Sequence, residues 1–406
     1  MFDFRSPALR GVSLLAIAAA ALAACETTSS GDTAATAEVD VAPDSVGDGG
    51  ASESFYPLTL GEAGVFAAFE PAPNGRTTNI DYEVISEALE IIVFDTGPST
   101  RIRARDRQGT RAGSRIVKGH NSPYRLEGNK IFLSQFDDES GNSFREYAEN
   151  LVDIGNKIDI TTLPRNEQLA YWFNLHNMWV IAILADEYPV RYPERIKIDG
   201  ALFHDAKIMN ISGVDLSLSD IRTNIVYRYW DDPRVMYGFF HGDLGSPSID
   251  DEAYTSENIN RILDRNAREF VNALRGVQRG RSKVYISKLY YEARAGLFPN
   301  WPVDLLAHLE NFADEEVSMI LLENGANFEA MKYPNRTADM VGGDPSPDIN
   351  AGPSGSSTPP QLVEMVQEVR EKYVELRRQG RIGGARVIII DEPTEDQGPP
   401  PDETID

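Results

Sequence analysis

Cys25 is the only cysteine in the chain of 406 residues, so no disulfide can form within it. Disulfides are a common source of stability in proteins of oxidising compartments, and this chain cannot use them internally. Its stability must therefore come from an ordinary hydrophobic core. The chain is long enough to build one, because domains typically contain about 100–200 residues.

The segment before Cys25 has the parts of a secretory signal peptide. Two arginines precede an apolar run over 12–24, and small residues come directly before the cysteine. The ending Leu22-Ala23-Ala24-Cys25 resembles the lipobox of bacterial lipoproteins. The resemblance implies removal of residues 1–24, attachment of a diacylglycerol to the Cys25 sulfur, and acylation of the new amino end by a fatty acid such as palmitate. An ordinary signal peptide followed by a chance cysteine is the alternative.

Attachment to a membrane is expected through lipid alone. The run 12–24 is too short to cross a bilayer, which needs about 20 apolar residues, and no other segment of the sequence is long and apolar enough. Several acyl chains hold a protein stably, whereas one holds it marginally. We therefore expect a lipid-anchored protein on the periplasmic face of the cell envelope. Glu26, in place of the Asp often linked to inner-membrane retention, favours the outer membrane.

Segments of low complexity flank a single folded domain. The region 25–54 contains the lipidated cysteine and a spacer with too few large apolar residues to fold. Residues 341–361 are rich in Gly, Pro and Ser and are predicted to be a linker. The domain itself is predicted at 55–340, a C-terminal helix with a candidate edge strand at 362–390, and a disordered acidic tail at 391–406.

The charge of the chain excludes one class of partner. The formal net charge is −24, and 37 basic against 48 acidic residues leave −11 for the region 55–390. Binding to nucleic acid depends on basic residues that neutralise phosphates. We therefore expect no nucleic acid partner.

The apolar pattern predicts a mostly helical α+β domain with a small β-sheet. The stretch 163–185 is apolar on nearly every face, which is typical of a central, buried helix. A seam of apolar residues over 362–376 is too short for a coiled coil, so this helix is expected to dock on the domain. Further helices are predicted at 81–93, 144–154, 219–229, 254–274, 302–313 and 315–323, and short strands at 130–134, 202–216 and 284–289.

Several motifs, in a specific order and spacing, resemble the family called domain of unknown function 547. They are Asn79-Ile-Asp-Tyr82, the run from Asn166 to Asn177, the run from Gly213 to Ile221, and the segment from Asp232 to Thr255. The family has no agreed activity. The resemblance therefore implies a type of domain and not a reaction.

The departures from the family pattern concern its reactive residues. Members commonly carry a Cys-Gly pair and then Ser-Cys-Pro, and the two cysteine positions correspond here to His241 and Ser246. The family's Asp-Ile-Glu-His corresponds to Asp220-Ile-Arg-Thr223, so Arg222 and Thr223 replace the Glu and the His. A cysteine, a histidine and an acidic residue in one cleft would suit thiol chemistry. This chain lacks both that thiol and that histidine.

Ser246 is the natural candidate for a replacement nucleophile. It would need a base and an oxyanion hole, with His241 as the base and Asp243 or Asp220 to orient the imidazole. Alternatively, Ser246-Pro247 simply forms a turn. No Gly-x-Ser-x-Gly motif surrounds Ser246. The favoured interpretation is that no residue is catalytic.

Two further groups of polar residues have structural or metal-binding interpretations. His204, Asp205, His241 and Asp243 could supply nitrogen and oxygen ligands to zinc, but they lack a recognised metal spacing, so no metal and no cofactor is expected. Asn174, His176 and Asn177 lie on the apolar helix, where buried amides must be hydrogen-bonded. We expect these three residues to form a structural polar core.

These observations together favour a non-catalytic role. The chain is expected to be an envelope lipoprotein that binds or scaffolds an envelope protein or a glycan. The alternative is an envelope hydrolase or transferase that uses Ser246 with His241. The sequence alone identifies neither the ligand nor the oligomeric state.

Overall fold

A computed structural model describes residues 56–75, 78–105, 120–136, 138–344 and 360–382 of the chain. The predicted signal peptide, Cys25 and the spacer lie outside the described residues. So do most of the predicted linker, the candidate edge strand and the acidic tail.

Helices account for about half of the described residues. A π-helical segment, Asp220–Val226, continues into the short helix Tyr227–Tyr229. The longer helices are α1 (Glu83–Ile92), α2 (Asp138–Lys157), α3 (Arg165–Asp186), α4 (Ile259–Val271), α5 (Lys288–Leu297), α6 (Val303–Phe312), α7 (Glu315–Asn324) and α8 (Pro360–Arg378).

The strands are only two or three residues long and form four small sheets within the described ranges. Three of the sheets are antiparallel pairs, and in the fourth the central strand Val284–Ile286 pairs antiparallel with Val277–Arg279 and parallel with Phe328–Ala330. The α+β class is thus confirmed, with several separate sheets in place of the single one predicted. The strands are β1 (Val93–Phe94), β2 (Lys130–Ile131), β3 (Lys197–Ile198), β4 (Ala201–Leu202), β5 (Met209–Ile211), β6 (Val214–Leu216), β7 (Val277–Arg279), β8 (Val284–Ile286) and β9 (Phe328–Ala330).

A turn of two residues closes the hairpin of β5 and β6. Met209 pairs with Leu216 and Ile211 with Val214, so two residues make the turn. Both of them, Ser212 and Gly213, have positive φ values, of 52° and 82°. Positive φ at both central residues is typical of a tight type I′ hairpin turn.

Helix α3 lies at the centre of the core. Every residue from 167 to 184 is buried, as expected for a helix that is apolar all round. Helix α2 packs along it, and the Tyr171 hydroxyl donates a hydrogen bond of 2.9 Å to the Leu151 carbonyl of α2. A side chain at Gly155 would place its Cβ 2.3 Å from the Tyr171 hydroxyl oxygen. The close contact of these two helices therefore requires glycine at 155.

Long-range hydrogen bonds shift one predicted helix boundary. The sequence predicts a helix over 254–274, whereas α4 begins at Ile259. The backbone N–H and C=O of Tyr254 are both bonded to the Asn174 side chain, so they are not available to a helix. Thr255 and Asn258 exchange hydrogen bonds between side chain and backbone N–H and form the turn before the helix.

The start of the predicted linker is packed into the domain. The residues 341–344 are buried, and the Asp344 carboxylate pairs with Arg191 and, at 2.9 Å, with Arg336. A carboxylate held by two guanidinium groups keeps this segment on the domain. A composition rich in Gly and Pro does not reveal such a pair.

Helix α8 docks on the domain through a second apolar cluster, formed by Met340, Leu362, Met365 and Val369. At the edge of this cluster the buried Lys372 donates to the carbonyls of Gly97 at 3.1 Å and Leu126 at 2.6 Å. In the part of the chain that the structure describes, no helix is long and apolar enough to cross a membrane.

Candidate functional site

Three of the five histidines lie together around Arg222. His176 comes from the middle of α3, His204 from the turn after β4, and His241 from the loop after the short helical segment Pro233–Gly238. Their ring centroids are 5.4 to 6.4 Å apart. Arg222 comes from the π-helical segment, a type of distortion that is frequent at functional sites.

The Arg222 guanidinium uses all five of its N–H donors. Nε donates to Glu292 Oε1 at 2.8 Å, and Nη2 donates to Glu292 Oε2 and Ser219 Oγ, both at 3.4 Å. Nη1 donates to His176 Nε2 at 3.0 Å and to His204 Nδ1 at 3.3 Å. A guanidinium has five such donors and no acceptor, so its hydrogen-bonding capacity is fully used.

These contacts fix two imidazoles in their neutral forms. Each must accept from Arg222 at one nitrogen, so the assigned proton lies on the other nitrogen. His176 Nδ1 then donates to Asn177 Oδ1 at 3.1 Å, and His204 Nε2 donates to the His241 carbonyl at 3.1 Å. Burial, and then the positive charge of Arg222, lower the pKa of both histidines well below the ordinary value. The two rings therefore act as hydrogen-bond acceptors toward Arg222 and carry no charge.

Arg222 itself remains charged. Burial opposes its charged form, but the Glu292 carboxylate more than offsets this effect and raises the pKa of Arg222. The two side chains are 3% and 15% exposed. The centre of the site is thus a desolvated ion pair surrounded by neutral rings.

His241 differs from the other two histidines. Its Nε2 atom is buried and has no hydrogen-bond partner among the described residues. Burial, followed by the charge of Arg222, lowers the pKa of His241 well below its ordinary value. The next residue, Gly242, has a φ of +90°, and a Cβ there would lie 3.0 Å from Leu184 Cδ1. Glycine therefore allows the turn that places His241 beside α3.

Asp243 stabilises the following turn. Its Oδ1 accepts from the backbone N–H groups of Gly245 at 3.1 Å and Ser246 at 3.0 Å, and from the Tyr333 hydroxyl at 2.7 Å. Burial raises the pKa of Asp243 to about 6. Lys288 Nζ lies 3.6 Å from the centroid of the Tyr333 ring, within the range of a cation–π contact.

Ser246 lies in this turn and is buried. Its hydroxyl donates to the Asp243 carbonyl at 2.7 Å, with a weaker contact to the Pro247 carbonyl at 3.3 Å. The hydrogen bonds of the described chain do not connect Ser246 to His241. The hydroxyl satisfies backbone groups of its own turn, as in the turn interpretation of Ser-Pro.

Asp220, the other candidate for orienting His241, belongs to a separate network. Its carboxylate accepts from the Ser217 N–H at 2.8 Å, from the Ser217 hydroxyl at 2.6 Å and from Asn224 at 3.0 Å, and it pairs with Lys207. Burial favours protonation of Asp220, but these donors together lower its pKa. This carboxylate holds the start of the π-helical segment.

The residues predicted as weak metal ligands are only partly brought together. The His204 and His241 rings are neighbours, whereas Asp205 is exposed and accepts a hydrogen bond from Ser219 at 2.8 Å. Asp243 is occupied by the donors named above. Over the described ranges, no group of three or more His, Cys, Asp or Glu residues is arranged to hold a metal ion.

Asn174 and Asn177 connect α3 to neighbouring backbone. The Asn174 amide accepts from the Tyr254 N–H at 3.0 Å and donates to the Tyr254 carbonyl at 2.7 Å. Asn177 donates to the Gly238 carbonyl and accepts from the Phe240 N–H, both at 3.0 Å. The second amide therefore fixes the loop that carries His241.

The sequence interpretation missed the partners of Arg222. It treated Arg222 only as the replacement of an acidic residue and did not single out its partner Glu292. It also did not single out Lys288 and Tyr333, which lie beside Asp243. Lys288 and Glu292 are four residues apart on α5 and therefore share one face of that helix. A charged pair on a helix with buried neighbours was the available signal for this part of the site.

The comparison with protein families agrees with the resemblance inferred from the motifs. Residues 160–271 match the family described as protein of unknown function, DUF547. The matched region contains α3, the π-helical segment and α4, and with them the three histidines, Arg222 and Ser246. No curated protein and no solved structure matches the chain. The chain therefore carries a DUF547 region over residues 160–271, which is the central part of the predicted domain 55–340; the motif Asn79-Ile-Asp-Tyr82 lies outside the match.

Proposed function

We propose that this protein is a lipid-anchored protein of the cell envelope whose DUF547 region binds a partner without transforming it chemically. The arrangement around Arg222 supports the non-catalytic part of this proposal. All five donors of the guanidinium are used, and two of the three clustered imidazoles are held as neutral acceptors.

Covalent catalysis needs a nucleophile within hydrogen-bond reach of a base. The Ser246 hydroxyl is directed to a backbone carbonyl, and the nitrogens of His176 and His204 are occupied. The nearby positive charge of Arg222 also opposes the formation of an imidazolium, which a general base must become. His241 Nε2 is thus a base without a nucleophile, which favours binding over turnover.

The anchored part of the proposal rests on the sequence before and at Cys25. A lipidated Cys25 would connect the domain to the membrane through the spacer 26–54, with the outer membrane favoured by Glu26. The partner would then be an envelope protein or a glycan. Mass spectrometry of the membrane-extracted protein should find the amino end at Cys25 with its lipid. A Cys25→Ser variant should leave the membrane fraction.

The non-catalytic role is tested with an activity-based fluorophosphonate probe, which labels reactive serines. The lipidated protein should remain unlabelled under conditions in which a control serine hydrolase is labelled fully. A Ser246→Ala variant serves as the matched control, since its hydroxyl is absent. Labelling of the native protein that disappears in this variant would refute the proposal and support an envelope hydrolase.

A further inference from the structure

The described domain begins with a segment that exposes three large apolar side chains. Leu58, Leu60 and Val65 are 63%, 36% and 64% exposed. Because they lie within eight consecutive residues, the Cα atoms of the two leucines are at most about 7 Å apart, and that of Val65 is at most about 18 Å from that of Leu60. Single apolar residues scattered over a surface need no explanation, whereas a group of them indicates an interaction site. We call these three side chains the entry patch.

The backbone under the entry patch is fixed to the domain. Arg294 Nε of α5 donates to the Pro57 carbonyl at 3.1 Å, and Arg228 Nη2 donates to the Gly61 carbonyl at 2.9 Å. The segment leads to the buried Phe69, whose ring packs edge-on against a tryptophan of α3 with 5.4 Å between the ring centroids. These contacts hold the segment in place while the side chains of the entry patch remain in solvent.

The entry patch lies where the chain arrives from the predicted lipid anchor. Leu58 comes 33 residues after Cys25, and the composition of the spacer 26–54 predicts a flexible chain. About 30 flexible residues have an r.m.s. end-to-end distance of about 30 Å. A tether of this length gives the patch an effective concentration in about the millimolar range at the bilayer surface. Even a weak apolar contact with lipid is therefore populated.

The charges beside the entry patch suit a surface of anionic lipid. Arg228, which is partly exposed and bonded to the Gly61 carbonyl, has no carboxylate within ion-pair distance in the part of the chain that the structure describes. Glu62 is the only acidic residue within 56–66. The apolar side chains therefore supply the main attraction, and Arg228 offers a cation to a lipid phosphate next to them.

We infer that the entry patch contacts the surface of the bilayer in which the lipid on Cys25 is anchored. Its three side chains would lie at the boundary between head groups and acyl chains, where the apolar faces of interfacial segments insert by about 5–10 Å. The sequence predicts attachment through lipid alone, and this contact adds the domain itself. The inference rests on the proposed lipid anchor and goes beyond it by assigning the face of the domain that meets the membrane.

The test identifies the face of the lipidated protein that meets lipid. Because the lipid occupies Cys25, a Thr59→Cys substitution supplies the only free thiol, which is labelled with the fluorophore NBD. Thr59 is exposed between the two leucines, so the entry patch itself is unchanged. The matched control is Ser318→Cys on α7, another exposed polar residue with an exposed apolar neighbour.

Both labelled proteins are reconstituted in vesicles of phosphatidylethanolamine and phosphatidylglycerol that contain spin-labelled lipids. NBD at position 59 should be quenched by lipid with the spin label near the head group, and less by lipid with the spin label at the end of the acyl chain, because the contact is shallow. NBD at position 318 should be quenched by iodide in the water and by neither lipid. Equal lipid quenching at the two positions, or none at position 59, overturns the inference.

A further variant separates the entry patch from the label. Leu58→Ser combined with Leu60→Ser, in the Thr59→Cys protein, changes two exposed side chains and should abolish lipid quenching at position 59. Quenching that persists would show that NBD itself inserts, and it would overturn the inference. Mass spectrometry first verifies the lipid in each preparation. Absence of the lipid overturns the anchor and this inference together, whereas lipidated protein without quenching overturns this inference alone.

Discussion

Replacing Arg222 by methionine should destabilise the fold by about 3–5 kcal/mol, because removal of one member of a buried ion pair leaves the other charge without compensation. Arg222 is 3% exposed and its partner Glu292 15%, so solvent screens this pair weakly. Methionine fills much of the same volume. The loss therefore reports on charge and hydrogen bonds more than on packing.

The same reasoning predicts a smaller cost when both charges are removed. Replacement of a buried ion pair by apolar side chains of similar volume is often neutral or stabilising. The Arg222→Met, Glu292→Met double variant should therefore be more stable than the sum of the two single losses predicts, by about 2–3 kcal/mol. Glu292→Met alone is the matched single variant of the cycle.

The pH dependence of the free energy of unfolding is a second measurement, which a loss of packing alone would not change. Burial and Arg222 lower the pKa of His176, His204 and His241 in the folded protein. As the pH falls below about 6.5, the unfolded chain binds protons that the folded chain does not, so stability is lost. Each neutral histidine contributes about 1.4 kcal/mol per pH unit at most. Without Arg222 these pKa values should rise, and the loss between pH 6.5 and 5 should become smaller.

Urea denaturation followed by tryptophan fluorescence measures these free energies at several pH values. Asp243, whose pKa is raised to about 6, gains protons on folding over the same range and acts in the opposite direction. This contribution is common to the native protein and the variants, so the difference between their slopes isolates the histidines. A loss below about 1 kcal/mol for Arg222→Met, strict additivity in the cycle, or parallel pH slopes would refute the reasoning.

Three further changes test other parts of the structure. Ser246→Ala should lower the free energy of unfolding, measured by urea denaturation, by about 1 kcal/mol, because the carbonyl of Asp243 loses one hydrogen-bond donor. A loss several times larger would indicate a role of Ser246 beyond its turn. Asn174→Ala should lower the same free energy of unfolding by about 3 kcal/mol, since the N–H and the carbonyl of Tyr254 both lose their buried partner. An unchanged free energy would mean that water replaces the amide. Glu368→Ala removes the carboxylate that pairs with the buried Arg125, so hydrogen exchange of the backbone amides should accelerate in α8 and not in α3. If the α8 amides exchanged as slowly in the variant as in the native protein, the apolar cluster alone would hold α8.

Local patterns explain how much of the fold was predictable. Helix α3 is apolar on every face, and both its position and its burial follow from that composition alone. The Ser212-Gly213 turn is likewise a local feature, because it needs only two neighbouring residues with positive φ. The start of α4 was not predictable, since the Asn174 side chain, 80 residues away, binds the Tyr254 backbone.

The candidate site shows the same limit more strongly. Comparison with the family motif indicated only that Arg222 replaces an acidic residue of that motif. Its meaning depends on Glu292, which is 70 residues further along the chain, and on His204, which lies in an irregular turn. No periodicity relates such residues, so only the fold reveals that the guanidinium is fully bonded.

The charge balance of this centre indicates that it stabilises the fold. One guanidinium faces one carboxylate at the core of the site, and the surrounding imidazoles are neutral, so no uncompensated charge is left there to attract a polar ligand. A change at Arg222 should therefore alter stability and its pH dependence. If Arg222→Met left both unchanged, the interpretation of this centre as a structural one would be wrong.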